Sequence, residues 1–461
     1  MIGYHLLRKN HRVYFLLLAS LFFFAWSEPR YVFVLLLSIT VNYVFGLLIH
    51  ITLEKNSYLS KAMLVAAIAG NLGILFYFKY LNATLSNLHR FLGADYAIHA
   101  IALPIGISFF TFKGISYIVD LYKKRVSVQK NPALVAFYLS FFPQLAAGPI
   151  VRYADIQAQL SAEKRVVSVD HFVNGAKRFI VGLAKKAILA DTLGYTADQI
   201  FANPALENTA STAWLGILCY AFQIYMDFSG YSDMAIGAGG MLGFRTPENF
   251  NYPYIARSLS DFWRRWHITL STWFRDYVYA PLSTRLVKKR WGLRSIYIVS
   301  TLGVWFLTGL WHGGSVNFLL WGLWHGLFLL IERAADTHMP RTKALAPLKY
   351  ALTMLIVTVG WVFFRESELR EAFQYIGVMF GLVQPQNVGF TVFYFLDARV
   401  ICALVAAAVV SLPIAKTKCF IDFQQRTLWK CASVGLTLIL FFVCIVFVAA
   451  SSYNPFIYFK F

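Results

Sequence analysis

Apolar runs of the length that crosses a lipid bilayer recur along the whole chain, and this feature constrains its fold most. A spanning helix needs about 20 mostly apolar residues. The candidate spans are 13–26, 31–50, 62–80, 133–148, 211–228, 296–311, 315–331, 348–364, 389–413 and 428–450. Stretches near 101–119, 172–190 and 231–243 are shorter or carry Gly, Pro or charge, so each fits a span, a re-entrant piece or a buried helix. The pattern predicts an all-α, polytopic transmembrane helical bundle of about ten or eleven spans, with additional re-entrant or interfacial helices.

The scarcity of charge supports the same fold. Only 14% of the 461 residues are charged and 58% are hydrophobic, whereas a soluble domain has about 25% charged residues. No linker-like break in composition divides the chain, so we predict a single membrane-embedded domain over 1–461. The first apolar run is followed at once by a second and shows no small-x-small cleavage site, so we expect it to be retained as a membrane helix.

The basic residues indicate membrane topology rather than nucleic-acid binding. The formal net charge is +20, but Lys and Arg lie in short clusters between apolar runs, as they do in cytoplasmic loops. We therefore expect no nucleic-acid partner and a lipid bilayer around the chain. Residues 244–294 hold ten Lys or Arg against three Asp or Glu and are predicted to face the cytoplasm, at least in part. Residues 187–243 contain no Lys or Arg, and their acidic loop with Asp191, Asp198 and Glu207 is predicted to be outside.

The first segment that suggests chemistry reads FYLSFFPQLAAGPIVRY over 137–153. Pro143 and the pair Gly148-Pro149 interrupt any helix there, because proline lacks a donor and clashes with the preceding turn. A broken helix at membrane depth is tolerated only where protein buries it or where it lines a cavity. Arg152 follows the break and suits an anionic group such as a phosphate. A plain helix end with an interfacial arginine explains the same residues and is favoured on this segment alone.

The second segment, 249–281, reads NFNYPYIARSLSDFWRRWHITLSTWFRDYVYAP and mixes tryptophan with charge, as interfacial helices do. Asp261 and Arg265 stand four residues apart and are predicted to pair on one helical face. His267 lies four residues after Trp263 and four before Ser271, which predicts a shared face. A single histidine in such a segment is more often structural than functional.

The third segment, 307–330, reads LTGLWHGGSVNFLLWGLWHGLFLL and places His312 and His325 in an apolar stretch. Gly309, Gly313 and Gly314 are predicted to leave open space for a substrate beside His312. On an unbroken helix the two histidines would stand roughly 140° apart, since each residue turns about 100°. We therefore predict a catalytic role for His312 and a packing or supporting role for His325.

Histidine suits acyl transfer to an alcohol, because its pKa near 6.5 lets it take the hydroxyl proton at neutral pH. The G-x-S-x-G elbow of soluble hydrolases is absent from the sequence. Asp227 and Asp233 fit a partnership with histidine, a helix cap or a salt bridge, and the last two are favoured. The five cysteines are scattered without a Cys/His cluster, so we predict no metal site.

With these motifs in hand, the chain resembles the membrane-bound O-acyltransferases, in particular the bacterial branch that acetylates alginate and peptidoglycan. The teichoic-acid D-alanyl transfer proteins are related to that branch. The resemblance covers nearly the whole chain. It is carried by FFPQLAAGPIVRY, by MDFSGYSDMAIG at 226–237, by NFNYPYIARSLSDFWRRWHITLSTWFRDYVYAPL and by LTGLWHGGSVNFLLWGLWHG.

The resemblance implies two key histidines, which are His267 in FWRRWH and His312 in the first WHG triplet. It implies a helical bundle with a central funnel or tunnel, in which the two histidines meet near the constriction. His312 would be the general base, and His267 would assist it or stabilise the developing charge. From the same motifs we expect substrate contacts from Arg152, Trp311, Asn317, Trp263 and Asp233.

The resemblance also implies the reactants and the location. Acetyl-CoA would arrive from the cytoplasm as donor substrate, without any permanently bound cofactor. The hydroxyl acceptor would be a polysaccharide outside the membrane, or a partner, an extracytoplasmic transferase of the SGNH-hydrolase type. The protein would be a multi-pass protein of the cell inner (plasma) membrane.

Two other functions fit many apolar spans and broken helices. A transporter or export channel for acyl groups or polysaccharide should show charged pairs or relays within its spans, and the sequence shows few. A structural anchor for an extracellular enzyme would tolerate the loss of His312 without loss of product.

Overall fold

A computed structural model of the protein describes residues 2–85, 101–161, 163, 165, 168–338 and 343–450. These residues form helices and no strands. The α-helices are Ile2–Leu6, Arg12–Ser27, Val32–Thr52, Ser57–Leu75, Ile107–Tyr122, Pro132–Ser140, Tyr153–Ile156, Val169–Ala184, Asp191–Ala202, Ala210–Met241, Leu259–Arg265, Ile268–Phe274, Ala280–Lys288, Leu293–His312, Val316–His338, Ala346–Arg365, Leu369–Met379, Val392–Phe395, Ala398–Val410, Lys418–Gln425 and Thr427–Ala450.

The predicted fold class, a polytopic helical membrane protein, is confirmed. Seven helices of the described residues are long and apolar enough to cross a membrane. They are Pro29–Thr52, Ser57–Leu85, Leu293–His312, Val316–Asp336, Ala346–Arg365, Ala398–Lys416 and Thr427–Ala450. Seven is fewer than the predicted ten or eleven, because Arg12–Ser27 is shorter and other apolar stretches are interrupted or carry charge. The stretch 133–148 is one of these: its helix ends at Ser140 and a 3₁₀ turn, Phe142–Gln144, follows where Pro143 was predicted to break it.

The chain divides into two compact units. The first comprises Met1–Arg178, Ala235–Glu248 and Thr272–Val278. Its helices Val32–Thr52 and Ser57–Leu75 are joined by a reciprocal amide pair, in which Asn42 Nδ2 donates to Asn71 Oδ1 at 3.0 Å and Asn71 Nδ2 donates to Asn42 Oδ1 at 3.1 Å. Both asparagines are buried, and such interhelical bonds stabilise association where lipid offers no hydrogen-bond partner.

The second unit comprises Phe179–Met234, Asn249–Ser271 and Tyr279–Phe461. Its helices Leu293–His312 and Val316–His338 pack against each other, joined by the three residues 313–315. Glycines allow their backbones to approach closely, because a Cβ on Gly322 would lie 2.3 Å from the Trp305 carbonyl oxygen. The single domain predicted over 1–461, and the funnel or tunnel, stay predictions.

Candidate functional site

His312 is the last residue of the helix Leu293–His312 and is only 5% exposed. The helix ends there because Gly313 continues in an extended conformation, with φ 178° and ψ 167°. The unbroken helix assumed for His312 and His325 is therefore absent, and the 140° estimate does not apply. Four aromatic rings surround the imidazole, with ring centroids 4.6 to 6.2 Å away: Trp311, Phe318, Trp321 and Phe364.

The glycines near His312 serve packing, so the prediction that they leave open space was wrong for the two that the structure characterises. A Cβ on Gly309 would lie 2.4 Å from the Phe318 carbonyl oxygen, and one on Gly313 would lie 2.5 Å from the Phe318 ring. The space that a side chain would occupy is thus filled by the next helix. This close approach brings the ring of Phe318 to His312.

His267 lies between two short helices, Leu259–Arg265 and Ile268–Phe274. Its φ of 43° falls in the left-handed region, which non-glycine residues seldom adopt. The predicted common helical face of Trp263, His267 and Ser271 is therefore wrong, because the helix ends at Arg265. The predicted pair on the first short helix is confirmed, with Arg265 Nε donating to Asp261 Oδ2 at 2.9 Å.

A buried polar cluster around Asn249 holds His267. The Nδ1 atom of His267 lies 3.1 Å from Asn249 Oδ1. The same oxygen accepts hydrogen bonds from Thr269 N at 3.3 Å and Thr269 Oγ1 at 2.8 Å, while Asn249 Nδ2 donates to Ser232 Oγ at 3.1 Å. Asn249 is 0% exposed and His267 is 2% exposed. Burial lowers the pKa of His267 to about 3, so its imidazole is neutral at physiological pH.

Trp311 connects the two histidines. Its ring centroid lies 4.6 Å from that of His312 and 5.9 Å from that of His267. All three side chains belong to the second unit and all are at least nine-tenths buried. His267 and His312, the two ends of a stretch of 46 residues in the sequence, thus both contact the indole ring of Trp311.

Trp263 and His325 belong to a second group of rings, which Trp321 joins to His312. The ring centroids of Trp263 and His325 are 4.8 Å apart, and Trp321 contacts both of them as well as His312. His325 is fully buried, and no described residue forms a hydrogen bond with either of its ring nitrogens. Trp263 is therefore linked to His312 through the ring of Trp321.

Asn317 is held at the start of the helix Val316–His338, where its Nδ2 donates to the Glu366 carbonyl oxygen at 2.6 Å. The next residue along, Phe318, and Phe364 both contact His312, so this bond ties two segments of the histidine pocket together. Burial raises the pKa of Glu366 to about 7, with Glu371 adding to the rise. A partly protonated carboxyl group therefore lies beside the segment that packs on His312.

The predicted substrate residue Asp233 forms a salt bridge. Lys185 Nζ lies 2.7 Å from Asp233 Oδ2, and Lys186 Nζ lies 2.9 Å from Asp227 Oδ1 and 2.6 Å from Asp191 Oδ1. Both lysines belong to a π-turn, Lys185–Ala190, whose extra residue changes the helix register locally. Salt bridging, one of the two favoured roles for Asp227 and Asp233, is confirmed.

Arg152 lies in the first unit and is committed to two carboxylates. Its guanidinium donates to Asp155 through Nε and Nη2, each at 3.0 Å, and to Asp276 through Nη1 at 2.7 Å. Tyr277 donates to Asp120 in the same unit, where Arg125 also pairs with Asp120 at 3.4 Å. Arg152 has donors left for an anion, but the two carboxylates already balance its charge.

Sequence reasoning missed Asn249, Trp321 and Phe364 as parts of the pocket. Asn249 is the first residue of the sequence NFNYPY. The only sequence signal for its role was an amide side chain among aromatic residues. Among the described residues no group of three or more His, Cys, Asp or Glu is placed to hold a metal ion.

Comparison of the sequence with known proteins shows which family it belongs to. Residues 106–366, which include all the site residues above, match the model of the membrane-bound O-acyltransferase family. The chain is 42% identical over 383 residues to "Probable alginate O-acetylase AlgI" of Pseudomonas aeruginosa, covering 82% of this chain and 71% of that protein. It is 33% identical to the "Peptidoglycan O-acetyltransferase" of Helicobacter pylori over 97% of this chain and 91% of that protein. The "Teichoic acid D-alanyltransferase" of Bacillus subtilis is 31% identical over 56% of this chain and 66% of its own length.

Proposed function

Because the chain belongs to the membrane-bound O-acyltransferase family, we propose that it transfers an acetyl group from acetyl-CoA to a hydroxyl group outside the cytoplasmic membrane. The acceptor is a hydroxyl of a polysaccharide or of an extracytoplasmic partner of the SGNH-hydrolase type. The names of two relatives, an alginate O-acetylase and a peptidoglycan O-acetyltransferase, support a glycan acceptor.

The observation that carries the proposal is the grouping of His267 and His312 around Trp311 in a buried pocket. His312 acts as the general base. As the acceptor oxygen bonds to the thioester carbonyl carbon, His312 takes the hydroxyl proton. The carbon–sulfur bond then breaks, and His312 returns the proton to the departing thiolate, which leaves an ester and free CoA. The aromatic rings around His312 exclude water, which would otherwise hydrolyse the thioester.

The arrangement of polar residues supports access from two sides. Arg365, at the end of the helix Ala346–Arg365, pairs with Asp198 at 2.6 Å, in the segment predicted to be outside. The helix Leu293–His312 starts beside the basic segment predicted to be cytoplasmic and ends at His312. We therefore place His312 towards the acceptor side and propose that the donor thioester reaches it through the predicted funnel. Arg152, Asn317, Trp263, Trp311 and Asp233 stay proposed substrate contacts, of which Trp311 has the closest link to both histidines.

The test is the amount of polymer-linked acetate in cells that express His312→Ala, with the protein level in the membrane measured alongside. We expect acetate to fall to background at an unchanged protein level. His50→Ala is the matched control, because His50 is exposed at the end of the helix Val32–Thr52 and should retain wild-type acetate. Wild-type acetate from the His312 variant would remove this residue from the mechanism.

A transport function without chemistry is the second candidate, and the partly buried ion pairs of Lys185 with Asp233 and Lys186 with Asp227 favour it. The two functions differ in the fate of the thioester. Purified protein in proteoliposomes should release free CoA from acetyl-CoA only when a hydroxyl acceptor is present. Movement of intact acetyl-CoA or glycan without CoA release would support transport instead.

A further inference from the structure

The side chain of Asn249 has one orientation only, because its neighbours fix which atom is oxygen. An amide can be flipped without changing its shape, so the assignment must come from its partners. The backbone N–H of Thr269 is always a donor, and it lies 3.3 Å from the atom assigned as Oδ1. This contact requires an acceptor, so the oxygen faces Thr269 and His267. The amide nitrogen then donates to Ser232 Oγ.

The orientation of Asn249 determines the protonation of His267. Since Asn249 Oδ1 can only accept, the ring nitrogen 3.1 Å away must carry the hydrogen. That nitrogen is Nδ1, and a neutral imidazole carries one hydrogen, so the lone pair is on Nε2. The low pKa caused by burial keeps the ring neutral, which excludes a hydrogen on both nitrogens at physiological pH.

We infer that Asn249 is a positioning residue that makes His267 a hydrogen-bond acceptor at Nε2. His267 then assists catalysis by accepting a hydrogen bond from the acceptor hydroxyl or from His312, and it does not donate one to the developing oxyanion. This inference rests on the proposed acyl transfer and chooses between the two roles that the family resemblance left to His267. The left-handed conformation of His267 agrees with a ring held in place by its surroundings, since strained residues persist only where neighbours determine them.

Asn249→Ala and Asn249→Asp test the inference. Loss of the amide removes the contact that keeps the hydrogen of His267 on Nδ1. We expect Asn249→Ala to lower polymer-linked acetate about 10- to 100-fold, as the loss of groups that orient a histidine does elsewhere. An aspartate keeps an acceptor for both His267 and Thr269, and Ser232 can donate to it. Its negative charge also favours the protonated ring, so the acid limb of the pH–activity profile should move to higher pH.

Three comparisons separate positioning from a loss of folding. Asn251→Ala is the matched control in the same loop, because the Asn251 side chain accepts from Lys416 at 2.7 Å and should retain at least a third of the activity. Adding Asn249→Ala to His267→Ala should lower activity no further, because Asn249 acts through His267. Each variant is compared at equal protein level in the membrane.

The outcomes are distinct. Activity of Asn249→Ala within threefold of wild type would overturn the inference, as would an additive loss in the double variant. An acid limb of Asn249→Asp that stays in place or moves to lower pH would also overturn it, since a donor role for His267 gains from protonation. If His312→Ala abolishes acetylation in the same assay, any of these results refutes the inference about Asn249 and leaves the proposed function in place. If His312→Ala has no effect, the proposed function fails first.

Discussion

At the scale of single residues, the pocket combines histidines with few neighbouring charges. His267 is surrounded by Phe228, Trp311 and the amide of Asn249, and burial alone lowers its pKa. His312 lies among four aromatic rings. Burial keeps the His267 imidazole in its neutral form at physiological pH.

Glu366 gives a prediction on stability at this scale. Its pKa is about 7 in the folded protein against 4.5 for an ordinary glutamate. A raised pKa means that the folded state holds the proton more tightly, so this contribution to stability is present below about pH 4.5 and is lost as pH rises through about 7. We expect Glu366→Gln to raise the thermal midpoint in detergent at pH 8 and to leave it unchanged at pH 4.5.

The control for this prediction is Glu368→Gln, since Glu368 is an exposed glutamate two residues away. It should give no gain at pH 8. An equal gain from both variants would mean that general surface charge, and not the partly buried carboxyl group of Glu366, causes the effect.

At the scale of helices, close backbone contact joins Leu293–His312 to Val316–His338. A Cβ on Gly322 would lie 2.3 Å from the Trp305 carbonyl oxygen and 3.1 Å from backbone atoms of Gly309. These atoms belong to backbone, so the helices must separate to accommodate a methyl group. We expect Gly322→Ala to lower the thermal midpoint and, because His312 ends one of the helices, to lower acetylation as well.

Gly73→Ala is the matched control for the helix contact. Gly73 lies in the helix Ser57–Leu75, and nothing stands within 4 Å of the position that its Cβ would take. Alanine also forms helices better than glycine by about 1 kcal/mol, so this variant should be neutral or slightly more stable. A loss of stability equal to that of Gly322→Ala would show that any added methyl group is harmful, independently of the contact.

The helix boundaries that the sequence predicted correctly are those marked by a residue with a strong local effect. Pro143 ended a helix as expected. The break at His267 has no proline or glycine next to it, and the residue that contacts its ring, Asn249, is 18 residues away in the sequence. Likewise, the sequence shows that Gly309 and Gly313 have no side chain, but only the fold shows that Phe318 occupies the space beside them. Local signals were therefore predictable, and contacts between distant segments were not.

At the scale of the whole molecule, the distribution of charge predicts the side on which each loop lies. The helix Ala210–Met241 is not among the seven helices of the described residues that are both long and apolar enough to cross a membrane, but with 32 residues it is about 48 Å long at 1.5 Å per residue, so its length would suffice. It separates the acidic segment with Glu207 from the basic segment with Lys288. The two ends should therefore lie on opposite sides of the membrane.

Cysteine labelling checks this topology. In a background without the native cysteines, Glu207→Cys should react with a membrane-impermeant maleimide in intact cells. Lys288→Cys should react only after the membrane is permeabilised. Labelling of both positions in intact cells would contradict the crossing and would also remove the basis for placing His312 towards the acceptor side.

The short turn between the helices Leu293–His312 and Val316–His338 has a consequence for biogenesis. Gly313, Gly314 and Ser315 form the whole connection, and none of them carries charge. A connection of three residues is too short to form a separate loop, so we expect the two helices to enter the bilayer together as a hairpin with the uncharged turn leading. Because Phe364 follows His312 in the chain, we expect this hairpin to be inserted before the helix that carries Phe364, which would then complete the pocket around His312.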